Sequence, residues 1–215
     1  MASLTGLIHY YTFEDGVLTT NLVGNAVNLS LTGSGSVSQS GTTSKTGTKS
    51  LYNSATTGTN YYATTNNISA TTACTISVWF RPNSTSTSGR ILRIENNAGT
   101  PVSCVGVSFL WSADGVIGIA CDTGSGTPMT FATRSPSSYG LSSSNWNHVA
   151  ITYAAGSGQN TTISAYLNGT MIQNAVSVSQ YIWGGVSNTA SKLYLFGSSV
   201  YNPMVGYMDE VMVFN

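Results

Sequence analysis

Short alternating apolar runs, each shut by a turn signal, constrain this chain more than anything else in it. Residues 75–80 read TISVWF, with Ile76, Val78 and Phe80 on one side and Ser77 and Trp79 on the other. A period of two is the signature of a strand. Arg81-Pro82-Asn83 closes the run, because proline has no N–H to give a ladder. Strand-like runs recur at 7–13, 91–94, 105–111, 116–121, 146–153, 162–167, from Met171 onward, at 193–196 and at 207–214. Ala113-Asp114-Gly115 and Asn168-Gly169 lie between neighbouring runs, where such residues make hairpin turns. No stretch keeps an apolar stripe at the helical period, since Gly, Ser and Thr interrupt each candidate. The pattern predicts an all-β sandwich or barrel. Residues 31–50 are a Ser/Thr/Gly tract and 122–145 are rich in turn residues. Neither is charged or long enough for a linker, and no internal repeat is visible, so one domain over 1–215 is expected.

Only 7% of residues are charged, against roughly 25% in an ordinary globular domain. The polar surface must therefore come from Ser, Thr, Asn, Gly and Tyr. Such a surface suits an extracellular or virion-surface setting. The formal net charge is zero and no block of like charges occurs. Phosphate binding needs clustered Lys and Arg, so nucleic acid is not an expected partner. Nor is an anionic membrane surface, and no segment is apolar enough to span a bilayer. Met1-Ala2-Ser3-Leu4-Thr5 leads straight toward a strand with no signal-peptide pattern. Near neutrality lowers colloidal repulsion, which fits a domain living beside other copies or domains of a larger assembly. Cys74, Cys104 and Cys121 are too few for a disulfide framework. Buried thiols are expected for Cys74 and Cys104.

The sequence offers little for catalysis. Its seven acids are Glu14, Asp15, Glu95, Asp114, Asp122, Asp209 and Glu210. Glycosidases need two carboxyls at a set spacing across the substrate. Asp209 and Glu210 are neighbours, so a regular strand would send them to opposite faces. His9 and His148 read as satisfied, half-buried imidazoles. No Gly-x-Ser-x-Gly elbow and no phosphate loop is present.

Several segments, taken in order, resemble one family. They are LIHYYTFEDG at the start, Gly47-Thr48-Lys49-Ser50-Leu51-Tyr52, TISVWFRP, Trp146-Asn147-His148-Val149-Ala150-Ile151-Thr152-Tyr153, Tyr166-Leu167-Asn168-Gly169, Leu193 to Gly197, and Gly206-Tyr207-Met208-Asp209-Glu210-Val211. Together they resemble the laminin-G-like, concanavalin A-like jelly roll. The resemblance implies two antiparallel sheets packed face to face. It also implies core positions for Trp79 and Trp146. The glucanases of that superfamily carry Glu-x-Asp-x-x-Glu on one strand, and this chain has no such pattern. A non-catalytic, lectin-like module binding a glycan or a surface receptor is the expected function. A structural capsid or fibre domain making protein–protein contacts is the alternative. A divergent polysaccharide-active enzyme is the remaining one.

Two candidate sites follow. The resemblance implies a structural calcium held by the Asp209 side chain and by backbone carbonyls around Thr12, Glu14, Gly47 and Lys49. Independently, Asp209 stands in a very apolar strand, among Tyr207, Met208, Val211, Met212 and Val213. A carboxylate there needs a cation, an Arg or Lys, or backbone N–H groups. Lys49 is one such partner, and a hydrogen-bonded Asp without metal is another solution. The second site is a glycan-binding rim. Trp183, Tyr181, Trp111 and Tyr139 lie beside turn glycines or at turn mouths, with Asn188, Asp122 and Arg134 to orient a sugar. Loops on a rigid scaffold commonly carry binding.

Overall fold

Side-chain alternation sets which face of each strand is buried, and the computed structural model follows it closely. The structure describes residues 5–14, 22–23, 28–32, 37–56, 61–64, 73–84, 89–96, 105–111, 117–123, 129–134, 141–155, 161–178, 191–196 and 203–214. In chain order the strands are β1 (Leu7–Tyr11), β2 (Leu29–Thr32), β3 (Val37–Ser40), β4 (Ser50–Asn53), β5 (Tyr61–Thr64), β6 (Ala73–Pro82), β7 (Gly89–Asn96), β8 (Val105–Trp111), β9 (Ile117–Thr123), β10 (Met129–Arg134), β11 (Asn147–Ala155), β12 (Thr161–Leu167), β13 (Thr170–Val178), β14 (Ser191–Leu195) and β15 (Gly206–Phe214). No helix occurs among the described residues, and none there could cross a membrane.

Two antiparallel sheets result. The first runs β13-β12-β11-β6-β15-β4-β3, with β1 also on β15. The second runs β10-β9-β8-β7-β14-β5-β2. Both partners on one side of β15 are short: β4 takes residues 206–208 and β1 takes 211–214. The inner faces share one core. Ile76, Val78, Phe80, Val149, Ile151, Leu167, Met208, Val211 and Val213 from the first sheet meet Ile91, Leu92, Leu193 and Leu195 from the second. Each such side chain contributes roughly 1.5–3 kcal/mol when fully buried. The chain is an all-β, two-sheet sandwich of jelly-roll type.

Turn chemistry holds too. Asn168 and Gly169 have φ of 49° and 79°, as a type I′ hairpin requires, and Leu167 pairs Thr170 across them. Antiparallel β8 and β9 pair with Trp111 opposite Ile117, and the predicted turn at 113–115 lies outside the described residues. Cys74 is buried in β6. Cys121 faces Val107 in register, and Cys104 lies outside the described residues. The sequence reading missed β2, β3, β5 and β10. The first three are four-residue strands, too short for a period to show. β10 begins within the turn-rich stretch and reads MTFATR.

Two glycines mark close approaches. A Cβ on Gly89 would lie 2.5 Å from the Met204 Cα, where Arg90 bridges Pro203 in parallel. A Cβ on Gly206 would lie 2.3 Å from the Arg81 carbonyl oxygen. Gly206 thereby lets β15 enter the sheet tight against β6.

Candidate functional site

The outer face of the first sheet is built from the residues that alternation turns away from the core. Directly opposed residues on neighbouring strands share a face. One row across it reads Arg81, Tyr207, Tyr52 and Ser38, from β6, β15, β4 and β3. The next reads His148, Trp79 and Asp209. A third reads Tyr166, Ala150, Ser77, Met212 and Tyr10. Tyr52 and Tyr207 stack with ring centroids 4.6 Å apart and a 33° tilt, and the exposed Asn83 donates its amide to the Tyr52 hydroxyl at 3.1 Å. Trp79 packs against His148 at 4.9 Å, and His148 Nε2 meets Ser77 Oγ at 2.7 Å. Trp79 is half-buried on this outer face instead of in the core. Its parity decides that, since Val78 and Phe80 already fill the inner side. Trp146 is half-buried as well, and its ring N–H is covered with no partner among the described residues.

Residues 41–49, between β3 and β4, fold over this face as a strap. The Lys45 and Thr46 N–H groups donate to Asp209 Oδ2 at 2.8 and 3.3 Å, and the Glu210 N–H donates to Oδ1 at 2.8 Å. Lys45 extends its ammonium over the Trp79 ring, 3.8 Å from the centroid. Arg81 donates to Thr43 Oγ1 at 3.2 Å and to the Ser143 carbonyl at 3.4 Å. At the strap's far end the Thr48 N–H and hydroxyl and the Lys49 N–H all donate to the Glu14 carboxylate. Gly47, at φ +66°, leaves room for that carboxylate, whose carbon would lie 2.4 Å from any added Cβ.

A bulge sets the neighbouring acid. Between Asp209 and Met212 the register to β6 slips, and Glu210 takes φ 51°. Glu210 thereby receives the Tyr10 hydroxyl. Both Asp209 and Glu210 act on that phenol, which burial foremost, then the Glu210 hydrogen bond and the two charges, hold well above the ordinary tyrosine range. The opposite-face arrangement expected of a regular strand is thus overturned, because the extra residue of a bulge reverses alternation. Yet Asp209 is 0% exposed and Glu210 7%. Neither stands open to a polymer substrate.

Burial pushes the Asp209 carboxyl up to about 7, against the three N–H groups that pull it down, and the Glu210 charge adds to the rise. For Glu14, slight burial raises the pKa, but the Thr48 and Lys49 donors outweigh it and hold the carboxyl below its usual range. His148 is lowered by burial and then by the Lys45 charge. A lowered imidazole contributes stability that is complete above its ordinary 6.5 and lost as pH falls through the folded value. Wild type is therefore expected to lose more stability than His148→Gln between about pH 7 and about pH 5. Urea midpoints of both proteins at the two pH values check this, and equal losses would refute it.

Of the residues expected to hold calcium, Asp209 meets the strap at Lys45 and Thr46 and Glu14 meets it at Thr48 and Lys49, and both carboxylates are engaged by donors. A carboxylate offers about four lone-pair sites. Glu14 already accepts from the Thr48 and Lys49 donors at both oxygens, and Asp209 accepts from three N–H groups. The Phe13 carbonyl accepts the Gln39 amide, and the Gly47 carbonyl accepts Ser44 Oγ at 3.0 Å. Calcium needs six to eight oxygens. Among the described residues no cluster of three metal-binding side chains occurs. An unchanged melting temperature is expected on adding EDTA or calcium chloride; a rise with calcium would show the strap rearranging around the ion.

The rim residues are less defined. Trp183, Tyr181, Tyr139 and Asn188 lie outside the described residues. Trp111 and Arg134 both pair with Ile117, which places them on one row of the second sheet. Asp122 pairs Gly106, well along β9 from that row. Tyr52, Tyr207 and Arg81 were not singled out from sequence. Tyr52 and Tyr207 stand in strands flanking Leu51 and Met208, so the only signal was parity.

The fold and its polar, ring-bearing outer face define a jelly-roll module of the lectin and glucanase type. Residues 56–215 match the family model of the concanavalin A-like lectin/glucanases superfamily, and the chain belongs to that family. No curated protein matches it. Among solved structures it is similar to domain 4 of AbnA, a GH43 extracellular arabinanase from Geobacillus stearothermophilus, in complex with arabinotriose: 16% identity, TM-score 0.69, covering 97% of this chain and 92% of that one. It is similar to an endo-β-1,4-glucuronan lyase from Trichoderma reesei, at 14% identity and TM-score 0.59, covering 96% and 94%. The receptor binding domain of botulinum neurotoxin C/D mosaic serotype matches at 12% identity and TM-score 0.64, with 97% of this chain spanning 48% of that one. At these identities the likeness is one of fold. That fold hosts both binding domains and enzymes.

Proposed function

We propose that this chain is a non-catalytic glycan-binding module displayed on a cell or particle exterior. The observation that carries the reading is the row Arg81, Tyr207 and Tyr52, with Asn83 beside it. Sugar rings stack on half-exposed aromatic faces, while amide and guanidinium groups fix orientation. The low charge of the chain supports the same reading, since hydroxyl-rich surfaces hydrogen-bond without strong fields. Titrating glycan-array hits against purified wild type and Tyr207→Ala tests it. At least tenfold weaker binding, about 1.4 kcal/mol, is expected with the melting temperature nearly unchanged. An array without hits removes the reading. If Trp183→Ala loses binding while Tyr207→Ala keeps it, the site belongs to the Trp183 rim and not to this face.

A further inference from the structure

The strap brings cations to a surface that has few. Lys45, Lys49 and Arg81 are three of only seven Lys and Arg in the chain. Arg81 is half-buried, and its hydrogen bonds go to neutral oxygens, the Ser143 carbonyl and the Thr43 hydroxyl. The Lys45 ammonium rests on the Trp79 ring and is exposed. The acids on this face are covered or occupied by donors. Asp209 and Glu210 are covered, and Glu14 is occupied at the far end of the strap by the Thr48 and Lys49 donors. Accessible positive charge thus stands next to the Tyr207–Tyr52 pair, on a row spanning about 10 Å over two inter-strand spacings.

Resting on the glycan-binding reading, we infer that the patch formed by Lys45, Arg81, Tyr207 and Tyr52 takes an anionic saccharide. The sugar ring lies on the tyrosines. Its carboxylate or sulfate meets the Arg81 fork, which suits planar anions, and the Lys45 ammonium adds a second charge from the strap.

Calorimetric titration of the whole chain tests this with three probes: an oligogalacturonate, a sulfated heparin oligosaccharide and a neutral cello-oligosaccharide of equal length. The expected result is at least tenfold tighter binding of one acidic probe than of the neutral one. That gap should close in high salt, where exposed charges are screened. It should close in Lys45→Gln combined with Arg81→Gln and persist in Lys45→Arg. Lys45→Gln alone keeps the test open if the double variant melts early, because Lys45 anchors the strap through its backbone. Equal affinity for acidic and neutral probes overturns the inference and leaves glycan binding standing. An acidic preference that survives Lys45→Gln and the double variant also overturns it. Absence of binding to every probe and to a wider array removes both readings.

Discussion

Gly206→Ala is expected to cost more than about 4 kcal/mol, at the extreme end for a single substitution. The new Cβ would stand 2.3 Å from the Arg81 carbonyl oxygen and 2.8 Å from the Pro82 Cα. Both are backbone atoms held in the β6–β15 ladder, so neither can swing aside. The residue also sits at φ +148°, where L side chains are strained. With about 2–4 °C of melting temperature per kcal/mol at this size, the chain should melt roughly 10 °C or more below wild type. Gly169→Ala is the control. Its φ is +79°, but no atom lies within 4 Å of its Cβ, so only conformational strain of about 1 kcal/mol is expected. Thermal melts of both variants separate contact from strain, and similar losses would sink the close-approach argument.

Asp209→Ala is expected to destabilise by about 3 kcal/mol. The substitution deletes the acceptor for three backbone N–H groups, those of Lys45, Thr46 and Glu210. Orphaned donors cost about 1–3 kcal/mol each where water cannot reach. The Glu210 N–H, deep beside a fully covered side chain, should account for most of the loss, because the exposed strap residues can turn to water. Released from its anchor, Lys45 should leave Trp79, and indole fluorescence should change with it. A variant that melts within a degree of wild type and keeps its emission spectrum would mean that the strap is held elsewhere.

Much of the sandwich was legible because burial imposes alternation. β6, β11 and β12 each bury every second described residue over several turns of the pleat, and that pattern survives in the sequence. The strands that escaped notice, β2, β3 and β5, are four residues long, which leaves no period to detect. Asp209 could be singled out as a carboxylate needing compensation. The compensating groups could not, because two of them are main-chain N–H groups 163 and 164 residues away, and every residue type but proline carries them. The bulge at Glu210 was equally hidden. Its left-handed backbone falls on a residue with no sequence preference for it, so simple parity assigned that side chain to the wrong face. The tyrosine pair shows a subtler limit. A half-exposed ring and a core ring look alike as letters, and only the register of β15 against β4 tells them apart.

The position of β15 bears on how the molecule comes together. It is the latest strand in chain order, yet it lies in the middle of the first sheet, between β6 on one side and β4 and β1 on the other. Until residues 206–214 arrive, β3 and β4 have no edge to join, and the strap has only the Glu14 carboxylate and lacks that of Asp209. Completing this sheet therefore depends on pairing between strands far apart in sequence, a kind of contact that forms slowly. Assembly of the tyrosine row would be among the final events.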